Sequence, residues 1–501
     1  MFRTRSTCCY CILCTFIGLA LAFLMLFAGA PAASAQPPKG PVSFINDVAP
    51  ILKENCFACH DAKKKKGKLE MTSYESFRKG GTKDDPVLPG KSKASVIVEV
   101  LTATDKTRMP PKDVAPQPLA KEKIDIIAKW IDEGAKLDAG INAKADLVKE
   151  LRIRWKPPQP KVAYDRPALV TAIAFTPDNK RLVLDSGNHE LTVWDAATGK
   201  LLRRIFTRAE RAHAMVFLPD GKLAVAGSRP GQEGDVRIYN IDAGKTIDFG
   251  GVPAVDSAND PAVMVKELVQ TDDEIFALAL SPDGKKLASG GCDRLVRVFD
   301  IASGKIEHQI ENHADWVLGV AFTPDGKGLA TSSRDKTAKV WDLAAKESLL
   351  TFPDHGDYVF GVVISNDGKT GISIGSDKNV RTWQATDAAK AIGKQLKALS
   401  GHTDAIFRVS YRHDEKNPLL ATGGADKTIR TWNPVAGTAL KTFSGFTDWV
   451  YAVALSPDGQ LVAGASGNGE VKVFQTTSGN PVVSFNAAPG YTPPKTAEVK
   501  K

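Results

Sequence analysis

The spacing of apolar residues divides the chain in two. Before about residue 140 they recur every three or four positions, the period of a helix. After about residue 165 they alternate, the period of a strand. Phe44, Val48, Ile51 and Leu52 predict an amphipathic helix leading into Cys56, and Ile124, Ile127, Trp130 and Ile131 predict a second from about Lys121 to Gly134. Between the two regions, Trp155-Lys156-Pro157-Pro158-Gln159-Pro160 reads as a stiff linker.

The alternating region repeats itself. Ser/Thr-Pro-Asp-Gly/Asn turns stand at Thr176, Ser281, Thr323 and Ser456, with variants at Leu218 and Ser365. An aromatic ends each unit: Trp194, Tyr239, Phe299, Trp341, Trp383, Trp432 and Phe474. Successive aromatics are 42 to 49 residues apart, except for one gap of 60 between Tyr239 and Phe299. Seven units of this period predict a propeller with four strands per blade, and the long gap places an insertion near 245–270. Three units hold His313/Thr331/Asp335/Trp341, His355/Ser373/Asp377/Trp383 and His402/Thr422/Asp426/Trp432. In each, Asp can hold His, His the hydroxyl, and the hydroxyl the indole N–H, so every buried polar group finds a partner. These His are therefore read as structural.

On these residues the region resembles WD repeats. The resemblance implies that Trp316, Arg334, Tyr358 and Trp449 lie on a loop-ringed face, and they are expected to meet a partner protein there. Cys292, beside the Asp293 turn, is expected to be an exposed thiol. The first blade is expected to lack its outer strand, and Pro481–Phe485 to complete it and lock the ring.

Residues 56–60 read Cys-Phe-Ala-Cys-His, the attachment signature of haem c. Two thiols three positions apart can each form a thioether with one porphyrin, and the adjacent His can reach the iron. A thioredoxin-like pair would want a βαβ setting and no His. A zinc site would want more ligands, and His60 is the only His before residue 189. For the sixth ligand two Met remain, Met71 and Met109. Met109 is favoured because Pro110 and Pro111 stiffen its loop, and a Met/His pair raises the reduction potential.

Residues 43–135 resemble the planctomycete-type cytochrome c domain. The carrying residues are the Cys56–His60 motif, Gly67-Lys68-Leu69-Glu70-Met71, Gly80-Gly81, Val87-Leu88-Pro89-Gly90 with Ser92, Arg108-Met109-Pro110-Pro111 and Trp130–Ala135. The resemblance implies one covalent haem c with His60 and Met109 as axial ligands. The run Lys63–Lys66 is either a plain solvated loop or a feature that steers an acidic redox partner.

The first 35 residues read as an export signal. Arg3 and Arg5 precede an apolar run, and Ala33-Ser34-Ala35 forms a small-residue cleavage pattern. Four of the seven Cys lie in this segment, leaving Cys56, Cys59 and Cys292 and no disulfide framework. The formal charge of +9 becomes +7 without the two Arg, too mild for a nucleic-acid binder. No nucleotide loop, Ser-His-Asp arrangement or nucleic-acid motif is present.

The expected organisation is a signal peptide (1–35), a small all-α haem domain (36–140), a linker (141–164), an all-β seven-bladed WD-repeat propeller (165–488) and a disordered tail (489–501). The expected product is periplasmic or secreted, and membrane-anchored only if the N-terminal segment is uncleaved. An electron carrier with a partner-docking propeller is expected rather than a catalyst, with a haem peroxidase or a gas- or redox-sensing scaffold as the alternative.

Overall fold

The computed structural model describes residues 40–492 except 83–84, 259, 312, 387–391 and 415. The expected signal segment lies outside the described residues, as does the tail from 493. Among the described residues no helix is long and apolar enough to cross a membrane. The chain divides into a helical unit ending at Lys156 and a β unit beginning at Pro157.

The helical unit opens with one wide turn, Phe44–Val48, that runs on into α1, Ala49–Asn55. Ser43 starts it: its hydroxyl accepts from the amide of Asn46, and its own amide donates to the Asp47 carboxylate, a reciprocal cap. Then come α2 (Tyr74–Lys79), α3 (Val96–Thr102), α4 (Lys121–Asp132) and α5 (Leu147–Arg154). The opening turn packs on α4, with Phe44 5.2 Å from Trp130 between ring centroids and Phe77 stacked on both. Ile127, Trp130 and Ile131 are buried as the periodicity predicts, and Ile126 is buried where Ile124 is only partly so.

The stretch read as a linker holds α5. Asp146 caps it by accepting from the amides of Val148 and Lys149, and Leu147 is fully buried in the helical core. The prolines that suggested a linker begin only after this helix ends.

The β unit is a seven-bladed propeller. The seven aromatics that mark the repeat all lie on the third strand of a four-stranded antiparallel blade. The Ser/Thr-Pro-Asp-Gly/Asn turns join first and second strands. In each, the hydroxyl donates to the Asp, as Thr323 does to Asp325 at 2.6 Å. The fourth turn residue has positive φ, +69° at Gly326 and +63° at Asn179, which Gly and Asn tolerate best. The core lies between neighbouring blades; Val298 of the third, for example, shares a cluster with Trp341 of the fourth.

The insertion is a small hairpin, Ile247–Asp248 and Pro253–Asp256. It leaves the second blade and adds its second strand, in parallel, to the outer strand of the first blade, Leu201–Phe206. That outer strand corrects the expected ring closure. The first blade is complete without help, and Pro481–Asn486 pairs with Glu470–Gln475 as the fourth strand of the seventh blade. Closure is by packing instead. Val170 and Ile173 share a core with Val471 and Val473, Phe485 stacks on Trp194 at 4.6 Å, and the Tyr164 amide donates to Pro489 O.

The three tetrads form as the spacing predicts. His Nδ1 lies 2.8, 3.0 and 2.8 Å from Asp335, Asp377 and Asp426. His Nε2 lies 2.7 to 2.8 Å from the hydroxyl, which also accepts from the indole N–H. With Nδ1–H donating to the carboxylate, the hydroxyl proton goes to Nε2 and each group is satisfied.

Candidate functional site

The C-x-x-C-H motif begins where α1 stops. The Cys56 amide still donates to Leu52 O, and the amides of Cys59 and His60 both donate to Cys56 O at 3.1 Å. One extra turn thus carries the second thiol and the imidazole. Opposite it, the Met71 amide donates to His60 O at 2.8 Å, while His60 Nδ1 lies 3.3 Å from Leu69 O. A proton on Nδ1 serves that carbonyl and leaves the Nε2 lone pair as the ligating position.

Both thiols are free and half-buried. Burial, with Cys59 beside it, pushes the Cys56 thiol up to about 12. A reactive thiol in such a pair is shifted the opposite way.

The two candidate Met differ in surroundings. Met71 is 4% exposed and sits in the helical core, whereas Met109 is 38% exposed. Packing accounts for Met71 and does not account for Met109. The Met109 loop is tied to α3 by the Met109 amide on Val100 O. Its neighbour Arg108 is buried and donates through Nη2 to Ala115 O, yet its Nε is buried without a hydrogen-bond partner. A buried orphan donor beside an unpacked thioether is consistent with a site completed by an anionic group, and haem carries two carboxylates. The donor set therefore fits haem c: two thiols, an imidazole with a free Nε2, a thioether and an unused guanidinium donor.

The other motif residues brace these loops. A Cβ at Gly81 would lie 2.4 Å from Gly67 O, so the two loops can meet only without a side chain there. Ser92 binds the Asp132 carboxylate through its amide and hydroxyl, and the Gly90 amide donates to Ile131 O. Lys63–Lys66 are exposed, and Lys65 is paired with Glu70 at 2.7 Å.

On the propeller, Arg334 lies over the Trp316 ring at 4.3 Å and the Tyr358 ring at 5.4 Å, and its Nε donates to Asp315. Trp449 joins them through intermediaries that sequence reasoning missed. Tyr358 meets Phe360, Phe360 meets Phe407, and Phe407 lies 5.8 Å from Trp449 and 4.9 Å from Tyr451. Phe276 extends the row to Trp316 at 5.7 Å. The result is a half-buried aromatic arc across the third to seventh blades. The missed members occupy the same early position of each first strand, a signal visible once the blades are aligned. Cys292 is not an exposed thiol: it is buried with Phe276 and Leu318, and burial, with Asp273 and Glu274 nearby, holds its thiol well above the usual range.

Comparison with known proteins agrees with this division. The planctomycete cytochrome C family matches residues 56–113. The WD domain, G-beta repeat, matches residues 263–300, 304–342, 346–384, 393–433 and 437–475. Among curated proteins, a probable serine/threonine-protein kinase PkwA of Thermomonospora curvata is 42% identical over 62 residues, 12% of this chain and 8% of that protein. Coronin-7 of Rattus norvegicus is 35% identical over 80 residues, 16% of this chain and 9% of that one. WD repeat-containing protein VIP3 of Arabidopsis thaliana is 28% identical over 145 residues, 29% and 43% of the two chains. The chain thus spans less than a tenth of the first two relatives and under half of the third. It joins a region of the planctomycete cytochrome C kind to a seven-bladed WD-repeat propeller.

Proposed function

We propose that this chain is an exported electron carrier. Cys56 and Cys59 would hold one haem covalently, His60 and Met109 would ligate its iron, and the propeller would dock a partner protein. The observation that carries the reading is the orientation of His60. Its Nδ1 is engaged by Leu69 O within a turn that also carries both free thiols, so Nε2 is left to a metal. The haem, when bound, takes and gives one electron. The chain's own residues would act by position: the thiols would anchor the group, Leu69 O fixes the imidazole tautomer, and Met109 would supply the thioether ligand. Exposed Lys63, Lys64 and Lys66 favour an acidic redox partner. The WD-repeat propeller and its relatives support protein–protein contacts, and the aromatic arc is where we place them. The N-terminal pattern supports export to the periplasm or beyond, which N-terminal sequencing tests by whether the mature chain begins at Gln36.

The deciding experiment is the ferrous absorption spectrum of the matured protein with and without carbon monoxide. We expect haem to survive denaturation, wild type to ignore the gas, and Met109→Ala to bind it. If haem is lost on denaturation, covalent attachment fails. If wild type binds the gas readily, Met109 does not hold the iron and the gas-sensor or peroxidase reading takes its place.

A further inference from the structure

The propeller's central channel encloses about 660 Å³, the size of a small-molecule pocket. First strands from around the ring line it, bringing Thr171, His213, Phe276, Val320, Phe360 and Arg408 to its wall. Arg408 stands out. It belongs to the sixth blade, yet its Nη2 donates to Thr171 O of the first blade at 3.2 Å and to His213 O of the second at 2.6 Å. The side chain therefore reaches across the channel and is held at its far end.

Those two bonds use both Nη2 protons. The Nε proton and the two on Nη1 have no partner among the described residues. They are not sealed in protein either, since neither nitrogen is among the buried atoms left without a partner. Among the described residues no carboxylate pairs with Arg408. The acids beside its two anchors are engaged elsewhere: Glu274 with His213 Nε2 at 2.9 Å and with Ser228, and Asp185 with the Thr171 hydroxyl at 2.8 Å. Burial pushes Arg408 down only to about 10, so it stays charged at neutral pH. His213 is pushed down to about 3 by burial, then by Arg408 and Arg211, and is neutral. Donors of a charged guanidinium that are fixed in place, open to the channel and without a counter-charge are what an oxyanion binds best.

We propose that the channel is a binding site for a small organic oxyanion, a carboxylate or a phosphate ester, held by the open Nε and Nη1 donors of Arg408. The apolar wall formed by Ile173, Val320 and Val362 suits the carbon body of such a ligand. This site is independent of the haem reading and stands or falls without it.

The test is calorimetric titration of the full chain with succinate and, separately, with inorganic phosphate, at fixed ionic strength. We expect one of them to saturate a single site per chain with a millimolar or tighter dissociation constant. Arg408→Gln should weaken that binding by about tenfold or more. Arg408→Lys, which keeps the charge but loses the planar donor geometry, should fall between. Binding by succinate alone assigns a carboxylate site, and binding by phosphate alone a phosphate-ester site. If neither probe binds wild type, or if Arg408→Gln binds as well as wild type, the proposal is overturned. Should Arg408→Gln fail to fold, an Arg408→Lys affinity equal to wild type overturns it equally.

Discussion

In the fourth, fifth and sixth blades a His, a hydroxyl, an Asp and a Trp share one chain of hydrogen bonds. In the first two blades the buried polar groups are different. The first has the Glu190–Arg204 pair at 2.7 Å, both side chains all but inaccessible, and Asp185 bound to Thr171. The second has Arg229–Glu233, Asp235–Arg237 and His213–Glu274. Its marker aromatic is a tyrosine. In the first blade, Leu184 stands ten residues before Trp194, where the tetrads carry their hydroxyl, and the Trp194 indole N–H is buried without a partner. All these blades nevertheless build the same four strands. The repeat family's matches begin only at residue 263. Those matches include the third and seventh blades, which end in Phe299 and Phe474 and lack the tetrad; the fold requires only alternating strands, tight turns and buried groups that are mostly satisfied.

The two solutions also respond oppositely to pH. Burial tends to raise Asp377, but its bonds to His355 and to the charged Arg381 outweigh burial and bring it down to about 2. Its stabilising contribution is present above pH 3.8 and lost as pH falls towards 2. Asp185 is raised to about 7 by burial. Its contribution is complete below pH 3.8 and lost as pH rises through 7. The geometry agrees. Thr171 has one hydroxyl proton but lies 2.8 Å from Asp185 Oδ2 and 2.6 Å from Ala212 O. Both contacts are good only if Asp185 keeps its proton and donates to Thr171.

The largest test of the comparison is Arg204→Ala. Arg204 pairs with Glu190, donates to the carbonyls of Lys161 and Val162, and lies over the Phe249 ring of the inserted hairpin. Removing it strands a buried carboxylate and should cost about 3–5 kcal/mol in denaturant unfolding. A loss under about 1 kcal/mol would mean the first blade does not depend on its ion pair.

Next is Asp185→Asn, measured against wild type from pH 5 to pH 8. The variant should gain relative stability as pH rises, by about 2 kcal/mol, half the full shift at about 1.4 kcal/mol per unit. A flat difference would place Asp185 with the ionised carboxylates and remove the opposition between the blades.

Thr422→Val keeps the shape of the tetrad hydroxyl but leaves His402 Nε2 and the Trp432 N–H unmet, at a cost of about 1.5 kcal/mol. The smallest effect is a difference between two variants. Trp432→Phe should lose about 1 kcal/mol more than Trp194→Phe, because both lose similar volume but only Trp432 gives up a hydrogen bond. Equal losses would show that the tetrad bond adds nothing to packing.

Much of this architecture was legible in the sequence where one period operates. Helical spacing located the turn at Phe44 and helix α4, and the aromatic repeat gave seven blades and the insertion. The tetrads were readable because all four members lie within 30 residues. Ring closure was not, for a definite reason: a period fixes the length of a unit but not its phase. Cutting the repeat before or after the outer strand gives the same count and opposite closures, and only the pairing of Pro481–Asn486 decides. Helix α5 was masked by the prolines that follow it, although Asp146-Leu147 is a fair start signal. The Cys56–His60 motif is local and falls within one sequence window, whereas Arg408 meets partners 195 and 237 residues away, beyond any such window. The burial of Cys292 depends on Phe276 and Leu318 of neighbouring strands, which its own turn does not reveal.

The seam between the seventh and first blades contains no exchanged strand, so the four strands of every blade follow one another along the chain, broken only by the hairpin inserted before the last strand of the second blade. The ring then has no privileged starting point. New termini cut at another blade boundary, such as the connection between Phe443 and Val450, with the old ends joined across the Tyr164–Pro489 contact, would leave every strand pairing intact. Such circular permutants should fold to the same ring. Whole blades, rather than half-blades, are the units by which a propeller of this kind can lengthen, shorten or be reordered.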